Sequence, residues 1–453
     1  MNKLLRILRP LFVEKTDKDN LRKLDGYVNI LESFPYGLQH ILAMFISNIT
    51  PILLVLNNSN INNNPEITKT VIQNALFITG VATIIQLFPI WKVGSKLPLV
   101  VGTSFTFLSA ITYIGEVYGY GTILGAIIIG GVIVALLGFS VKYWIRFIPP
   151  IVSALVVLVL GISLIKVGIE SFVGGTGSDF GSYQSIIVGV VTLITSLIFT
   201  VYFKGKLKTF AILIALTVGY ITALCLGIVD FSSLDNVKII DIPRLTNFSQ
   251  IEFRIDAIII LVIIYVVSVT ETIGNASAIT THNFNRAASS SEISGGIICN
   301  GIMSSIGGCF GCLPFTTYSE SVGIVNITGI TNRYSMLSGA IFLIIMSLFP
   351  PISGFLNTIP KAALGGCMLI IFGSIVYTGI KMVSESGFNN RNNIIISISV
   401  SLSVGLSLIP NLFEGLPDQY KIFEILCTTP VVMVFIISMI LYYILPRKEE
   451  KTI

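Results

Sequence analysis

The chain has 453 residues, of which 53% are hydrophobic and 11% charged, with a formal net charge of +5 and a mean hydropathy of +0.87. Soluble domains carry about 25% charged residues, so this composition excludes an ordinary soluble protein. Repeated apolar runs of about 20 residues predict an all-α polytopic membrane protein, whereas a β-barrel would show short alternating segments. The positive charge is therefore assigned to membrane topology, and no nucleic-acid partner is predicted.

The chain starts with a basic tail, residues 1–33, that contains Lys3, Arg6, Arg9 and Lys15. About fourteen apolar segments follow, and Lys and Arg concentrate in alternate connections between them. Because positively charged loops stay on the cytoplasmic side of a membrane, both termini are predicted to be cytoplasmic. We expect a multi-pass protein of the plasma (cytoplasmic) membrane, surrounded by the lipid bilayer.

The first apolar segment contains His40. A histidine at membrane depth is costly unless it has a partner. Two roles stay open for it, a hydrogen bond that braces neighbouring helices and a contact with a substrate.

The third apolar segment is short and is interrupted by Pro98 and Gly102, after which Ser104 and Phe105 follow. Such a break weakens a helix, so this segment is not expected to be one continuous spanning helix. Segments four to seven carry few polar residues at depth and are assigned no chemistry.

The eighth apolar segment carries Glu271 in its middle, with Asn275 four residues later. The spacing puts both side chains on one face of a helix. An intramembrane carboxylate is a functional-site hypothesis by default. No Lys or Arg is predicted at the same depth, so His40 is the titratable candidate partner of Glu271.

The stretch 307–321 combines several glycines and Pro314 with a polar run that ends in Tyr318, Ser319, Glu320 and Ser321. Broken backbone and a carboxylate are tolerated at membrane depth only where they face protein or a water-filled cavity. The stretch therefore predicts a half-helix with Glu320 facing a site. The alternative is a loop outside the membrane with a solvated Glu320, but apolar segments lie close on both sides.

Two cysteines in the same stretch, Cys309 and Cys312, form a C-x-x-C pattern. A redox pair or half of a zinc site is one interpretation. The other is two small residues where helices pack closely, and it is favoured because no second C-x-x-C exists. We predict neither a metal nor a cofactor.

The broken segments match each other, since each has a glycine followed by Phe-Thr, at Gly102 and at Gly311. They are the third segments of two sets of seven, and seven is odd, so the two halves would have opposite topology. Matched broken segments in inverted halves indicate the binding site of a secondary transporter. The polar stretch 230–254 is the predicted seam between the halves.

Four motifs occur in this order in the sequence: Leu38-Gln-His-Ile-Leu-Ala-Met-Phe, Gly102-Thr-Ser-Phe, Thr270-Glu-Thr-Ile-Gly-Asn and Glu320-Ser-Val-Gly-Ile-Val-Asn-Ile-Thr-Gly. Together they resemble the nucleobase–cation symporter family, also called the nucleobase–ascorbate transporter family, and look like its bacterial xanthine and uracil permeases. The resemblance covers nearly the whole chain.

The resemblance implies about fourteen segments in two inverted repeats of seven, with short β-strands in segments three and ten that pair beside the substrate. It implies a core domain and a gate domain, each made from both halves. The expected ranges are a tail over 1–33, core over 34–141, gate over 142–229, an outer loop over 230–254, core over 255–356, gate over 357–445 and a tail over 446–453.

The resemblance also implies roles for individual residues. Glu271 and Glu320 match the two main substrate-binding side chains, and Ser104 and Phe105 match the wall of segment three. His40 and Asn275 match a polar network that serves proton coupling. Tyr318 and Ser321, which lie on either side of the second glutamate, are also expected to bind the substrate, and the family signature falls on Gly323, Thr328, Gly329 and Arg333.

This chain departs from the family pattern at the site itself. Xanthine permeases usually have Gln-Asn, and uracil permeases Glu-Asn, where this chain has Glu320-Ser321; in the purine branch Asp is frequent at the position of Asn275. The departures bear on the identity of the base and not on the family.

The leading interpretation is a secondary transporter that imports a purine of the xanthine or urate type by proton symport, with sodium left open as the coupling ion. A uracil:proton symporter is the alternative base, supported by Glu320 and Tyr318. An anion exchanger or channel on the same architecture should carry a basic residue at the site. An enzyme would need a nucleophile–base pair or metal ligands, and the chain has two histidines and no H-E-x-x-H. A homodimer is left open.

Overall fold

A computed structural model of the chain describes residues 17–58, 65–175, 180–204, 207, 210–231, 239–245, 251–409, 412 and 421–446. The tail charges from Lys3 to Lys15 and the C-terminal residues from 447 lie outside the described residues. The side chain of Glu320 also lies outside them, although its backbone is part of a described helix.

In the described part of the first half, the main elements are seven helices and one strand. In chain order these are α1 (Ile30–Asn58), α2 (Pro65–Leu87), β1 (Val101–Thr103), α3 (Leu108–Tyr118), α4 (Tyr120–Phe139), α5 (Pro150–Phe172), α6 (Tyr183–Tyr202) and α7 (Ala211–Cys225).

The second half repeats this order. Its elements are α8 (Ile255–Phe284), α9 (Ser290–Cys309), β2 (Phe315–Thr317), α10 (Ser319–Thr328), α11 (Arg333–Ser347), α12 (Lys361–Glu385), α13 (Asn390–Leu408) and α14 (Pro430–Ile444). Short helical turns lie between some of them, at Lys18–Arg22, Phe105–Phe107, Val141–Trp144, Ile145–Phe147, Pro350–Asn357 and Lys421–Thr428.

The chain thus follows the predicted order of fourteen helical segments. Seven helices in its described part are long and apolar enough to cross a membrane unaided: α2, α4, α5, α6, α8, α12 and α13. The helices α7 and α14 are apolar but shorter. The helix α9 contains Ser, Gly and Asn that are buried against other helices, which lowers its hydropathy.

The two broken segments meet in the middle of the molecule, as predicted. Strands β1 and β2 pair antiparallel, with Gly102 opposite Thr316. A helix follows each strand, α3 after a single 3-10 turn and α10 directly. The pair is buried, and its backbone bonds from strand to strand and to buried side chains around it, among them Thr83, Asn48 and Ser304.

Helix contacts show the inverted repeat, because exchanging each helix of the first half with its counterpart seven places on reproduces the most extensive helix pairs. The pair α4–α9 corresponds to α2–α11, and α1–α11 corresponds to α4–α8. Likewise α6–α7 corresponds to α13–α14. The pairs α5–α12 and β1–β2 correspond to themselves, so they mark the axis that relates the halves.

The first described residues, 17–26, form a segment that lies against the loop before α11. Asn332 Nδ2 lies within hydrogen-bond distance of the carbonyl oxygens of Asn20, Lys23 and Gly26, at 2.9, 3.1 and 2.6 Å. The backbone of Asn332 donates to Leu21 O. We call residues 17–26 the N-terminal clasp.

Candidate functional site

A small cavity lies where the paired strands and α8 face α5 and α12. Its lining combines hydroxyl, aromatic and aliphatic side chains with one carboxylate: Ser104, Phe105, Thr106, Leu160, Glu271, Thr316, Tyr318, Ser319 and Ile375. The space that water can enter is about 10 Å³, room for about one water molecule. A purine would need the cavity to widen.

Glu271 is the carboxylate of this cavity, and its side chain is only 6% exposed. Thr106 Oγ1 donates to its Oε2 at 3.0 Å, and Ser319 Oγ lies 3.3 Å from its Oε1. Thr106 follows β1 and Ser319 follows β2, so each inverted half supplies one hydroxyl. The two contacts fix the plane of the carboxylate at the point where the halves meet.

Asn275 lies one helical turn beyond Glu271 on α8 and belongs to the same network. Its Oδ1 lies 3.0 Å from Ser319 Oγ, and its Nδ2 donates to the backbone oxygen of Thr317 at 2.9 Å. The sequence predicted that Glu271 and Asn275 share a face, and the structure joins them through Ser319.

Ser104 and Phe105 have different tasks in the wall of the cavity. Ser104 Oγ accepts from Thr106 N at 3.2 Å and caps the turn that carries Thr106. The ring of Phe105 meets Phe372 of α12 edge to face, with 5.2 Å between centroids. Phe105 is therefore placed to cover a bound ring and contacts the opposite side of the cavity.

Tyr318 lines the cavity with its ring, while its hydroxyl points away from it. The hydroxyl lies 3.1 Å from both Asn48 Oδ1 and Thr103 O. Asn48 Oδ1 also accepts from Thr79 Oγ1 and from Thr103 N. Tyr318 is thus anchored to α1 and β1 directly, and to α2 through Asn48.

The remaining residues that the sequence singled out on α10 and after it lie outside the cavity lining. Ser321 Oγ accepts from Val100 N at 3.4 Å and braces the start of β1. Thr328 bonds within α10, and Gly329 ends that helix with a φ of 66°, an angle that favours glycine. A Cβ at Gly323 would meet no described atom within 4 Å.

Arg333 begins α11 at the side of the molecule where the clasp lies. Its guanidinium donates to Leu87 O, pairs with Asp25 and lies over the ring of Phe88. Asp25 also pairs with Lys96 at 3.2 Å. Arg333 therefore holds the clasp and does not line the cavity.

His40 is 1% exposed in α1, and neither of its ring nitrogens has a hydrogen-bond partner among the residues that the structure describes. No hydrogen bond joins it to Glu271 in this part of the chain. Its place in the polar network stays a prediction.

Several polar residues of the site were given no role from the sequence. They include Thr106 and Ser319 on the carboxylate, Asn48 under Tyr318, and Asn300, whose Nδ2 donates to Thr272 Oγ1. Asn48 and Asn300 carried a usable signal, since each is an amide inside an apolar segment. Ser319 was named in the polar run, but nothing distinguished it from other hydroxyl residues, which are common in membrane helices.

The arrangement suits recognition of a flat, polar ring. An oriented carboxylate accepts two N–H bonds in one plane. The first turn of α10 has backbone N–H groups that can meet a carbonyl oxygen, and Phe105 offers a ring face. Among the residues that line the cavity, none is Lys or Arg.

Comparison with known proteins places the chain among permeases. Residues 31–412 match the model Xan_ur_permease, described as a permease family. The chain is 32% identical over 426 residues to the xanthine permease XanQ of Escherichia coli strain K12, covering 90% of each chain. It is 34% identical over 390 residues to the uric acid permease PucK of Bacillus subtilis strain 168, covering 86% of this chain and 90% of PucK.

Solved structures of low sequence identity share the fold. The transmembrane domain of the cyanobacterial bicarbonate transporter BicA matches with a TM-score of 0.57 at 15% identity, over 91% of this chain and 97% of that domain. The murine anion transporter Slc26a9 in the inward-facing state matches with a TM-score of 0.58 at 11% identity, over 91% of this chain and 68% of that one.

Proposed function

Because the chain belongs to the permease family of the xanthine and uric acid carriers, the nucleobase–ascorbate transporter family, we propose that it imports a purine of the xanthine or urate type by proton symport. The observation that carries the proposal is the Glu271 carboxylate, buried in a cavity and held by one hydroxyl from each inverted half.

The Glu271 carboxylate supplies both recognition and a place for the coupling proton. Ionised, it accepts two ring N–H groups of an oxopurine. Without substrate, a buried anion is costly, and proton uptake removes that cost. A carrier that reorients empty only with Glu271 protonated couples base import to proton import. Sodium stays open as a coupling ion.

Because a purine needs a wider cavity than the one in this structure, we divide the molecule into two parts that move against each other. The core would comprise α1–α4 and α8–α11, and the gate α5–α7 and α12–α14. Leu160 on α5 and Ile375 on α12 close the cavity from the gate side, and the other lining residues belong to the core. Movement of the gate against the core would open the space that a purine needs, first on one side of the membrane and then on the other.

The test is uptake of labelled xanthine and labelled urate into proteoliposomes containing the full chain, with and without an inward proton gradient. We expect uptake that rises with the gradient and is blocked by unlabelled xanthine or urate. Uptake of labelled uracil, by protein that takes up neither purine, would favour the uracil carrier. Absence of uptake of all three bases by correctly folded protein contradicts the proposal.

An anion exchanger is the alternative function from another class of transporter, because anion transporters share the fold of this chain. At 15% and 11% sequence identity, this similarity concerns the fold alone. The cavity has a carboxylate and no basic side chain in its lining, which disfavours a small inorganic anion, because such an anion lacks the ring N–H groups that a carboxylate accepts. Bicarbonate or chloride uptake by the same proteoliposomes, without any effect of purines, would establish this alternative.

A further inference from the structure

The serine that joins Glu271 to Asn275 faces two acceptors and has one proton. Ser319 Oγ lies 3.3 Å from Glu271 Oε1 and 3.0 Å from Asn275 Oδ1. The Asn275 amide cannot be turned round to remove this competition, because its other end faces Thr317 O at 2.9 Å and a carbonyl oxygen only accepts. Ser319 therefore donates fully to only one of the two at a time.

With Glu271 ionised, the hydroxyl of Ser319 donates to the carboxylate, since a bond to a charged acceptor is the stronger one. Asn275 Oδ1 then has no donor among the described residues, where Ser319 is the one donor within reach. Asn275 is only 4% exposed, and a buried acceptor without a donor costs free energy.

With a proton on Glu271 Oε1, the hydroxyl of Ser319 and the amide oxygen of Asn275 both have a hydrogen-bond donor. The new O–H of Glu271 donates to Ser319 Oγ, and Ser319 donates to Asn275 Oδ1. Thr106 continues to donate to Oε2. The proton comes from water and stays on Glu271, and no heavy atom has to move.

We propose that Ser319 and Asn275 form a hydrogen-bond switch that favours the protonated form of Glu271 in the closed site. The proposal rests on proton symport as the function, and it makes Ser319 a positioning residue that acts through Glu271. When a base enters and Glu271 ionises, Ser319 turns toward the carboxylate.

Other titratable groups near Glu271 are few. Tyr318 lines the same cavity, Glu320 follows Ser319 on α10 with its side chain outside the described residues, and His40 is buried in α1 without a hydrogen bond to Glu271 in the described part. The helices packed against α8 carry charged residues near their ends, all exposed or half-buried: Glu116, Lys166, Glu170, Glu292, Lys361, Lys381, Glu385 and Glu424.

The experiment is an infrared titration of the purified full chain without substrate, following the C=O stretch of protonated Glu271. The Glu271→Gln variant identifies the band by its loss. Asn275→Leu removes the acceptor that only the protonated form satisfies, so we expect the titration midpoint to fall by about one pH unit, the equivalent of one hydrogen bond.

The decisive comparison repeats the Asn275→Leu substitution in protein that already carries Ser319→Ala. In Ser319→Ala protein, Asn275 Oδ1 has no donor in either form, so Asn275→Leu should leave the midpoint unchanged. In Ser319→Thr protein, which keeps the hydroxyl, the fall of about one unit should return. If Asn275→Leu fails to fold, Asn275→Ala removes the same acceptor.

Ser347→Ala is the matched control, because Ser347 is buried and its hydroxyl donates to Ile344 O of its own helix. We expect no shift. Equal shifts in the wild-type and Ser319→Ala backgrounds, no shift in either, or a Glu271 band that does not titrate while the protein stays folded would each overturn the switch.

The titration separates this proposal from the proposed function. If the midpoint shifts as expected in protein that takes up neither xanthine nor urate, the proposed substrate is wrong and the hydrogen-bond switch is supported. If the protein takes up purines but the effects of Ser319→Ala and Asn275→Leu on the midpoint are additive, the proposed function is supported and the switch is wrong.

Discussion

Glu271 presents its two oxygens in a fixed plane because hydroxyls of Thr106 and Ser319 reach it from different halves of the chain. A group that is already oriented loses little entropy when it binds a ligand. Any displacement of one half against the other would misplace one of these hydroxyls. The site is therefore sensitive to how the repeats meet.

At Glu271 we expect Glu271→Gln to abolish purine uptake, by more than tenfold, while the protein still folds. Glutamine keeps the shape but replaces one acceptor by a donor and binds no proton. Uptake into proteoliposomes with and without a proton gradient is the measurement. The control is Glu385→Gln, which changes an exposed glutamate at the end of α12 and should keep wild-type rates. Normal transport by Glu271→Gln would remove this residue from the mechanism.

At Glu320 we expect Glu320→Gln to change the preference among bases more than it changes the amount of folded protein. Glutamine can donate as well as accept, so it suits a different edge of the ring. The measurement is competition of labelled-xanthine uptake by a panel of unlabelled purines and pyrimidines. An unchanged order of competitors would show that Glu320 does not touch the base.

Sequence reasoning found the carboxylate and missed what holds it. Glu271 stands out because an acid inside an apolar segment is rare. Thr106 and Ser319 do not stand out, since their role depends on a meeting of β1 and β2 across about two hundred residues of chain. Only the fold brings their hydroxyls to the carboxylate.

The paired broken segments depend on a close approach at Gly102. A Cβ there would lie 2.5 Å from the ring of Tyr318. That ring cannot easily move away, because its hydroxyl is bonded to Asn48 and Thr103. We expect Gly102→Val to reduce uptake by at least tenfold at equal amounts of folded protein, with valine itself well suited to a strand. Uptake per folded molecule is the measurement.

A suitable control is a glycine with room around it. Gly130, in a segment that the sequence assigned no chemistry, is not one, because a Cβ there would lie 2.8 Å from the ring of Tyr265. Gly373 on α12 has no neighbour within 4 Å of such a Cβ, so Gly373→Ala should transport normally. Equal damage from both substitutions would mean that the third segment has no special part in the site.

The strands themselves show the limit of pattern reading at the scale of elements. Three residues, Val101–Thr103 or Phe315–Thr317, are too short for a period to be recognised. Their breaks and their match were visible from Gly102, Pro314 and the shared Phe-Thr. That they are strands followed from the family resemblance, and that they pair in antiparallel register required the structure.

For the molecule as a whole, the clasp ties the N-terminal segment to the loop before α11. Asn332 caps α11 through its Oδ1, which accepts from Tyr334 N and Ser335 N, and bonds the clasp through its Nδ2. We expect Asn332→Ala to lower the free energy of unfolding by more than the roughly 1 kcal/mol of a lost cap. It should also expose residues 17–26 to protease.

The matched control is Asn389→Ala. Asn389 caps α13 by accepting from Asn392 N and has no contact with the clasp. Thermal unfolding and limited proteolysis of both variants are the measurements. If the two substitutions cost the same and proteolysis of the clasp does not differ, the clasp contributes nothing to stability.

From the sequence, the tail was only a set of positive charges with a predicted side of the membrane. The charge pattern predicts on which side of the membrane the tail lies. It does not predict that Asn20 or Asp25 contacts the loop before α11. Such contacts join residues about three hundred positions apart, beyond the reach of any local periodicity.

This separation imposes an order on biogenesis. The clasp leaves the ribosome early, and its partners Asn332 and Arg333 are made 306 to 312 residues after it. Until then Asn20 O and Lys23 O can accept from Lys23 N and Gly26 N inside the clasp but not from Asn332, so the clasp docks late and closes a loop that contains both broken segments. We expect nascent chains arrested before residue 333 to leave residues 17–26 open to protease, and longer chains to protect them. Protection of this early segment thereby reports that the loop before α11 has been made and has folded.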